Sequence, residues 1–342
     1  KDGRSFGGLS LSPNGSKIAF VMNTANVMSH GQLCLINTDG TSFKEINFDR
    51  IPNDMEWNQD EKSLFFAANS NGGVPVFKLD LTSGKIEKLT DFESGIGALE
   101  VLSSGKTIFA KNDVSNPHEI YISDLSFKIQ TKVSDLNTSW IKNKKISFPE
   151  KRTFKNSAGQ EIEFWIMKPI DFVVGKKYPL LLQMHGGPTA MWGPGEASMW
   201  HELQYFAAQG YGVVYPNQRG SGGYGKDFQF SNYRDWGTGP QEDALGACNI
   251  AAKESWVDTS KQVITGGSYA GYLTAWIVAH DHRFKAAFAQ RGVYDLTTFM
   301  GEGNAWRLTP NYFGLPWDDE AKTKIIANSP YTFVDKIKTP LL

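Results

Sequence analysis

The first 135 residues are periodic. Ser12-Pro-Asn-Gly-Ser-Lys-Ile-Ala-Phe20 lies over Asn58-Gln-Asp-Glu-Lys-Ser-Leu-Phe-Phe66 and then over Ser104-Gly-Lys-Thr-Ile-Phe-Ala110. Each is a polar turn running into a short apolar strand. A second strand follows in each segment, at 33–36, 76–79 and 120–123, and a third after a further turn, within 80–89 and 124–133. Equivalent positions recur at 43 residues (Ile36 to Leu79) and 44 residues (Leu79 to Ser123). A period in the low forties with several short strands per unit is the pattern of β-propeller blades, which bury their faces only against neighbouring blades. Closed propellers have roughly four to eight blades. About three blades therefore imply an open arc or further blades upstream, and a front end cut within the propeller is the reading adopted. The blades show no standout polar constellation, which leaves them a packing and gating role.

Past Trp140 the pattern changes. Strands are expected at 146–154, 161–168, 178–185, 211–215, 262–265 and 284–290, with helices at 241–255 and 269–279. The run Tyr178-Pro-Leu-Leu-Leu-Gln-Met-His185 is continuously apolar, as a strand buried on both faces must be. Strands alternating with helices imply a parallel sheet with crossovers, whose chemistry gathers at the carboxyl ends of the strands. The expected organisation is a partial propeller at 1–140 and an α/β-hydrolase domain at 141–342.

Composition closes off other classes. Lys plus Arg number 35 against 36 Asp plus Glu, so no long-range field favours nucleic acid or an anionic membrane. The one basic cluster, residues 142–145, reads as a solvated linker. No apolar run nears the 20 residues a membrane helix needs. Cys34 and Cys248 fit no metal or redox spacing and read as buried thiols. No residue cluster implies a metal or organic cofactor. The chain opens at Lys1 without Met, so the lack of a leader leaves its compartment open, as its oligomeric state is.

Two glycine-rich loops follow sheet strands: His185-Gly-Gly-Pro188 and Gly266-Gly-Ser-Tyr-Ala-Gly271. The second nearly spells Gly-x-Ser-x-Gly, with Gly266 two before Ser268 but Ala270 two after it. A nucleophile on a sharp strand-to-helix turn needs small neighbours so that the two arms do not collide. Gly266 meets that need, and Ala270 adds only a methyl. Ser268 is thus the candidate nucleophile. The candidate oxyanion donors are the backbone N–H groups of Tyr269 and Gly187, fixed before reaction and each worth about 3 kcal/mol in a transition state.

These residues carry a resemblance. The segments 177–188, 215–225, Glu242-Asp243, 266–272 and 329–342 resemble the prolyl oligopeptidase family of serine peptidases, in its acylaminoacyl peptidase and dipeptidyl peptidase branch. The resemblance runs from about residue 176 to the end, and the blades before it fit the family's propeller. It implies hydrolysis of short peptides through an acyl-enzyme on Ser268, with the propeller limiting access. Ala270 stands where the family more often has Gly. Arg219 and Asp243 occupy the places of an Arg-Gly loop and a helix-start acid and are expected to support the site. The glycine loop at 220–225 lacks the Lys-Ser/Thr of a phosphate-binding loop. Phe299, Trp306, Tyr312, Phe313 and Trp317 either line a substrate pocket or pack in the core.

A serine nucleophile needs a base. In α/β-hydrolases the order is Ser, then Asp or Glu, then His. After Ser268 come only His280 and His282, at the far end of a helix rising about 1.5 Å per residue, roughly 18 to 21 Å away. His30, His118, His185 and His201 precede the serine. The family places its acid after a strand beginning Pro-Leu-Leu, and its His later still. The triad Asp and His are therefore expected beyond Leu342, and this stretch alone is expected to be nearly inactive. The rival readings are an esterase built on the same elbow, which the propeller repeats disfavour, and a non-catalytic binding relative.

Overall fold

The computed structural model describes residues 3–24, 28–302 and 305–342. The chain divides into two compact units. One comprises Lys1–Ile146 with Gly193–Trp200 and Gly222–Lys226; the other comprises Ser147–Trp192, His201–Ser221 and Asp227–Leu342.

The first unit contains three four-stranded antiparallel sheets, each in sequence order. They are β1–β4 (Arg4–Leu11, Lys17–Thr24, Gln32–Asn37, Lys44–Glu45), β5–β8 (Pro52–Trp57, Ser63–Ala68, Val76–Asp80, Ile86–Lys88) and β9–β12 (Gly95–Val101, Lys106–Asp113, Asn116–Asp124, Gln130–Lys132). Each sheet thus has one strand more than the periodicity predicts, placed before the polar turn. These leading strands share a backbone irregularity: Gly8, Asp54 and Ala98 each have positive φ, beside a register shift in the strand pairing. The repeat is one of conformation, carried by three different residue types.

The blades hold together by alternation. Every residue of β6 is buried. Leu64 and Phe66 enter a cluster with Val21, Leu33 and Trp57, while Phe65 enters another with Ile96, Val101 and Phe109. Period-2 side chains therefore commit the middle sheet to both neighbours. A short helix, α1 (Thr138–Ile141), follows the third sheet. Fully buried Glu119 accepts hydrogen bonds from the Leu136 and Asn137 amides and from Ser134, fixing the turn before it.

Between the second and third sheets, burial, Glu100 and Asp54 push the Glu56 carboxyl up from 4.5 to about 7. A carboxylate whose folded pKa lies above its unfolded value costs no stability below the unfolded pKa. It destabilises progressively as pH rises between about 4.5 and 7. Glu56→Gln is expected to stabilise the protein by about 1–2 kcal/mol at pH 8, discounting for partial exposure, and to change little at pH 4. Chemical denaturation at the two pH values reads this out, and an equal effect at both would contradict it.

The second unit is built on a six-stranded sheet ordered β13–β14–β16–β15–β17–β18. Its strands are Glu150–Lys155, Glu161–Met167, Tyr178–Met184 (β15), Gly212–Pro216 (β16), Val257–Gly267 (β17) and Ala286–Gln290 (β18). The first three strands in this spatial order pair antiparallel and the rest parallel. Residues 340–342 pair alongside β18, with the Ala287 amide donating to Pro340 O (2.9 Å) and the Leu342 amide to Ala287 O (3.0 Å). The helices are α2 (Trp200–Ala208), α3 (Lys226–Phe230), α4 (Thr238–Ala251), α5 (Tyr269–His280), α6 (Leu296–Phe299), α7 (Leu308–Phe313) and α8 (Asp319–Ala327). Helix α4 begins three residues earlier than expected because the Asp235 carboxylate accepts from the Thr238 and Gly239 amides. It ends four residues earlier, in the tight turns of Lys253 and Glu254. Asp243 consequently lies inside the helix rather than at its start. Helix α5 is buried at every position but His280, so it is a core helix rather than an amphipathic one.

Candidate active site

Strand register brings the two glycine loops together. Met184 at the end of β15 pairs with Gly266 near the end of β17, so the chain leaving β15 emerges beside the turn that carries Ser268. Ser268 has φ 59° and ψ −122° and stands as the residue before α5. Its amide donates to Gln290 O (2.9 Å) and its carbonyl accepts from the Tyr272 amide (3.1 Å). Such a conformation is sparsely populated for a residue with a side chain and persists where the surroundings over-determine it.

Those surroundings are made of close backbone packing. A Cβ on Gly266 would overlap the Cβ of Ala270; on Gly271 it would stand 2.5 Å from Gln290 O and 2.8 Å from Gly292 Cα. Ala270 is thus accommodated because Gly266 faces it. Gly271 answers a different demand, the approach of α5 to the chain leaving β18. On the other side, a Cβ on Gly186 would lie 3.3 Å from Ser268 Cβ. Gly187, at φ 117°, is followed by a cis bond to Pro188. Among the described residues no acceptor is bonded to the amides of Tyr269 or Gly187, the two expected oxyanion donors. The Tyr269 side chain is buried and donates from its hydroxyl to Trp236 O (2.8 Å).

His185 anchors the first loop. It is wholly buried, with Nε2 2.8 Å from Ser221 Oγ and Nδ1 2.8 Å from Gly186 O. Burial pushes its pKa down to about 4, so at neutral pH the ring has one N–H to share between those oxygens. Ser221 in turn donates to Gln218 O (2.6 Å). Asn217 ties the same two loops a second time, accepting from the Trp192 amide (2.9 Å) and donating to the Trp192 carbonyl (2.7 Å). His185→Ala is expected to free the Gly186–Gly187 backbone and, in the protein made from its complete gene, to slow reaction at Ser268 by roughly 100-fold, the usual scale for misplacing a reacting group by about 1 Å. The rate of fluorophosphonate labelling of the folded variant checks this, and an effect under about threefold would contradict it.

The 217–221 segment is itself held by charge. Arg219 makes a two-pronged contact with Asp243 (Nε–Oδ2 2.9 Å, Nη2–Oδ1 2.8 Å) and reaches Glu242 Oε2 at 2.6 Å. The Arg219 amide also donates to Asp243 Oδ2 (2.7 Å), and Asn156 Nδ2 donates to Oδ1 (3.0 Å). Burial works against the Arg219 charge, but the two carboxylates outweigh it and raise its pKa further.

The remaining candidates separate. Tyr312 and Phe313 pack edge-on against Trp236, which also meets Tyr269 and Tyr272; these two are core. Trp306 and Trp317 are exposed. Cys34 and Cys248 are both buried free thiols. His280 stacks on Trp276 at the far end of α5, its Nδ1 2.7 Å from Trp276 O. Among the described residues no imidazole is hydrogen-bonded to Ser268. The anchoring role of His185 and Ser221 was not visible in sequence order. A His opening a Gly-Gly-Pro loop was the available signal.

The arrangement is that of a strand–turn–helix elbow on an α/β-hydrolase sheet, in a chain that also carries β-propeller blades. Residues 197–342 match the model of the prolyl oligopeptidase family. The chain is 29% identical over 294 residues to the Bacillus subtilis protein named Uncharacterized peptidase YuxL, covering 84% of this chain and 43% of that one. It is 28% identical over 349 residues to Dipeptidyl-peptidase 5 of Schizosaccharomyces pombe, covering 97% and 49%. Pyrococcus horikoshii acylaminoacyl peptidase shares the fold, with a TM-score of 0.84 at 24% identity, covering 96% of this chain and 51% of that one. The chain spans about half the length of the curated relatives it matches.

Proposed function

We propose that this chain carries the nucleophile of a serine peptidase that cleaves short peptides through an acyl-enzyme on Ser268. The observation that carries the reading is the backbone of Ser268, held at φ 59° and ψ −122° at the head of a buried helix, against Gly186 of the neighbouring loop. In the proposed step, Ser268 Oγ attacks the peptide carbonyl and the Tyr269 and Gly187 amides receive the oxygen as it becomes negative. Collapse releases the amine, and water then releases the acid. Proton transfer from Oγ falls to the His and Asp that the family resemblance implies. A role for the blades in restricting substrate size rests on that resemblance alone. That relatives are named as peptidases supports peptide over ester substrates.

A fluorophosphonate probe on the protein made from its complete gene, with the adduct mapped by mass spectrometry, tests the reading. Labelling confined to Ser268 is expected, with faster turnover of a peptidyl anilide than the esterase reading allows relative to a short acyl ester. Absence of labelling would favour a non-catalytic relative, and ester-only turnover an esterase.

A further inference from the structure

Beside Ser268, one residue past the end of the next strand, stands an arginine with no hydrogen bond or ion pair among the described residues. Strands β17 and β18 run parallel with Gly267 paired to Gln290, so Ser268 and Arg291 are the next residues on strands about 4.8 Å apart. Both leave the sheet with positive φ, 59° and 42°, a conformation uncommon for residues with long side chains. The backbone there is pinned. Gln290 O accepts from the Ser268 amide, and a Cβ on Gly292 would stand 2.6 Å from Gly271 C and 2.7 Å from Tyr272 N. The guanidinium lies over Gly267, with Nη2 and Nε 3.5 and 3.6 Å from where a Gly267 Cβ would be. It therefore covers the residue just before the serine.

Arg291 is exposed and has no hydrogen bond or ion pair among the described residues. Arg219 is paired with Asp243, Arg234 with Glu320 and Arg283 with Asp281, while Arg307 lies against the Trp306 ring. Asp295, the acid closest in sequence, is occupied in accepting from the Thr297 amide. A guanidinium presents a planar fork of donors matched to a carboxylate. Here it is held on a rigid turn with that fork unfilled.

We propose that Arg291 receives a substrate carboxylate, so that the site prefers peptides with a carboxylate close to the scissile bond. The inference rests on the reading of Ser268 as the nucleophile. Two sources share this chemistry, a free peptide C-terminus and an acidic side chain, and the substrates below separate them.

The protein made from its complete gene is assayed with three short peptides alike up to the scissile bond. One ends beyond it in a free carboxylate, one in the amide, and one in the amide with a Glu side chain. For the wild type, kcat/KM for one or both carboxylate peptides is expected to exceed that for the neutral amide by roughly tenfold or more, the range of charged hydrogen bonds. The peptide that shows the excess identifies the source. Arg291→Asn removes the charge with a residue that tolerates positive φ and is expected to bring the ratio within about twofold of one. Arg291→Lys is expected to retain part of it, and added salt to shrink it in the wild type only. A merely structural disturbance lowers all three rates together and leaves the ratio intact. A wild-type ratio near one, or an unchanged ratio in Arg291→Asn, overturns the proposal while fluorophosphonate labelling of Ser268 still stands. If Ser268 is not labelled at all, the nucleophile reading falls and this proposal falls with it.

Discussion

Replacing Ser268 with alanine, in the protein made from its complete gene, is expected to lower peptidyl-anilide turnover by roughly 10⁴- to 10⁶-fold, the scale of losing a nucleophile from a catalytic unit. The fold should survive, because the elbow's geometry is set by Gly266, Gly271 and Gly186 rather than by the serine side chain. A companion variant sharpens the test. With φ 59° and ψ −122°, the position suits glycine better than serine. Ser268→Gly is expected to be inactive yet more stable, by about 1 kcal/mol, the low end of the strain such a backbone stores. Turnover and denaturant midpoint, measured on the same preparations, read out both halves. A Ser268→Ala protein that keeps more than about a hundredth of its activity would mean that another group attacks the substrate.

The second large effect concerns stability. Asp243→Ala is expected to destabilise the protein by about 3–5 kcal/mol, because it removes the buried partner of a mostly buried guanidinium and leaves it only the more exposed Glu242 carboxylate. Asp243 is fully buried and accepts from Arg219, the Arg219 amide and Asn156, so four contacts are lost at once. Stabilities of ordinary domains are about 5–15 kcal/mol, so the loss is a large share of the total. Asp243→Asn keeps one acceptor oxygen but turns the other into a donor facing donors, so it should recover only part of the loss. The damage is expected to reach the elbow as well, since Arg219 holds the segment from which Ser221 meets His185. Denaturant unfolding followed by tryptophan fluorescence measures the first effect, and the rate of fluorophosphonate labelling measures the second. A midpoint unchanged within error would show that the charge is relieved by another route.

The sequence made some of this plain and hid the rest, for identifiable reasons. Leu64, Phe65 and Phe66 announce a strand because a middle blade buries both faces. The leading strands, Arg4–Leu11, Pro52–Trp57 and Gly95–Val101, are poorly marked in the repeat because they share a left-handed backbone position rather than a residue type, filled by Gly8, Asp54 and Ala98. The turn at Ser268 was legible because a sharp turn demands small residues in its immediate vicinity. His185, Ser221 and Arg291 were not, since their placement depends on which strands lie side by side. Sequence order runs β15, β16, β17, whereas in the sheet β15 sits between the other two. That permutation puts the Gly-Gly-Pro loop against the elbow, and no spacing rule encodes it.

One consequence of helix α5 reaches beyond geometry. Its first residue follows the serine, and nearly all of its length is sealed in the interior. Segments of that kind exchange their amide hydrogens only when the whole domain opens. The elbow therefore has no private route to disorder. As long as the domain is folded the serine keeps its posture, so reactivity and cooperative unfolding should be lost together, at a single temperature.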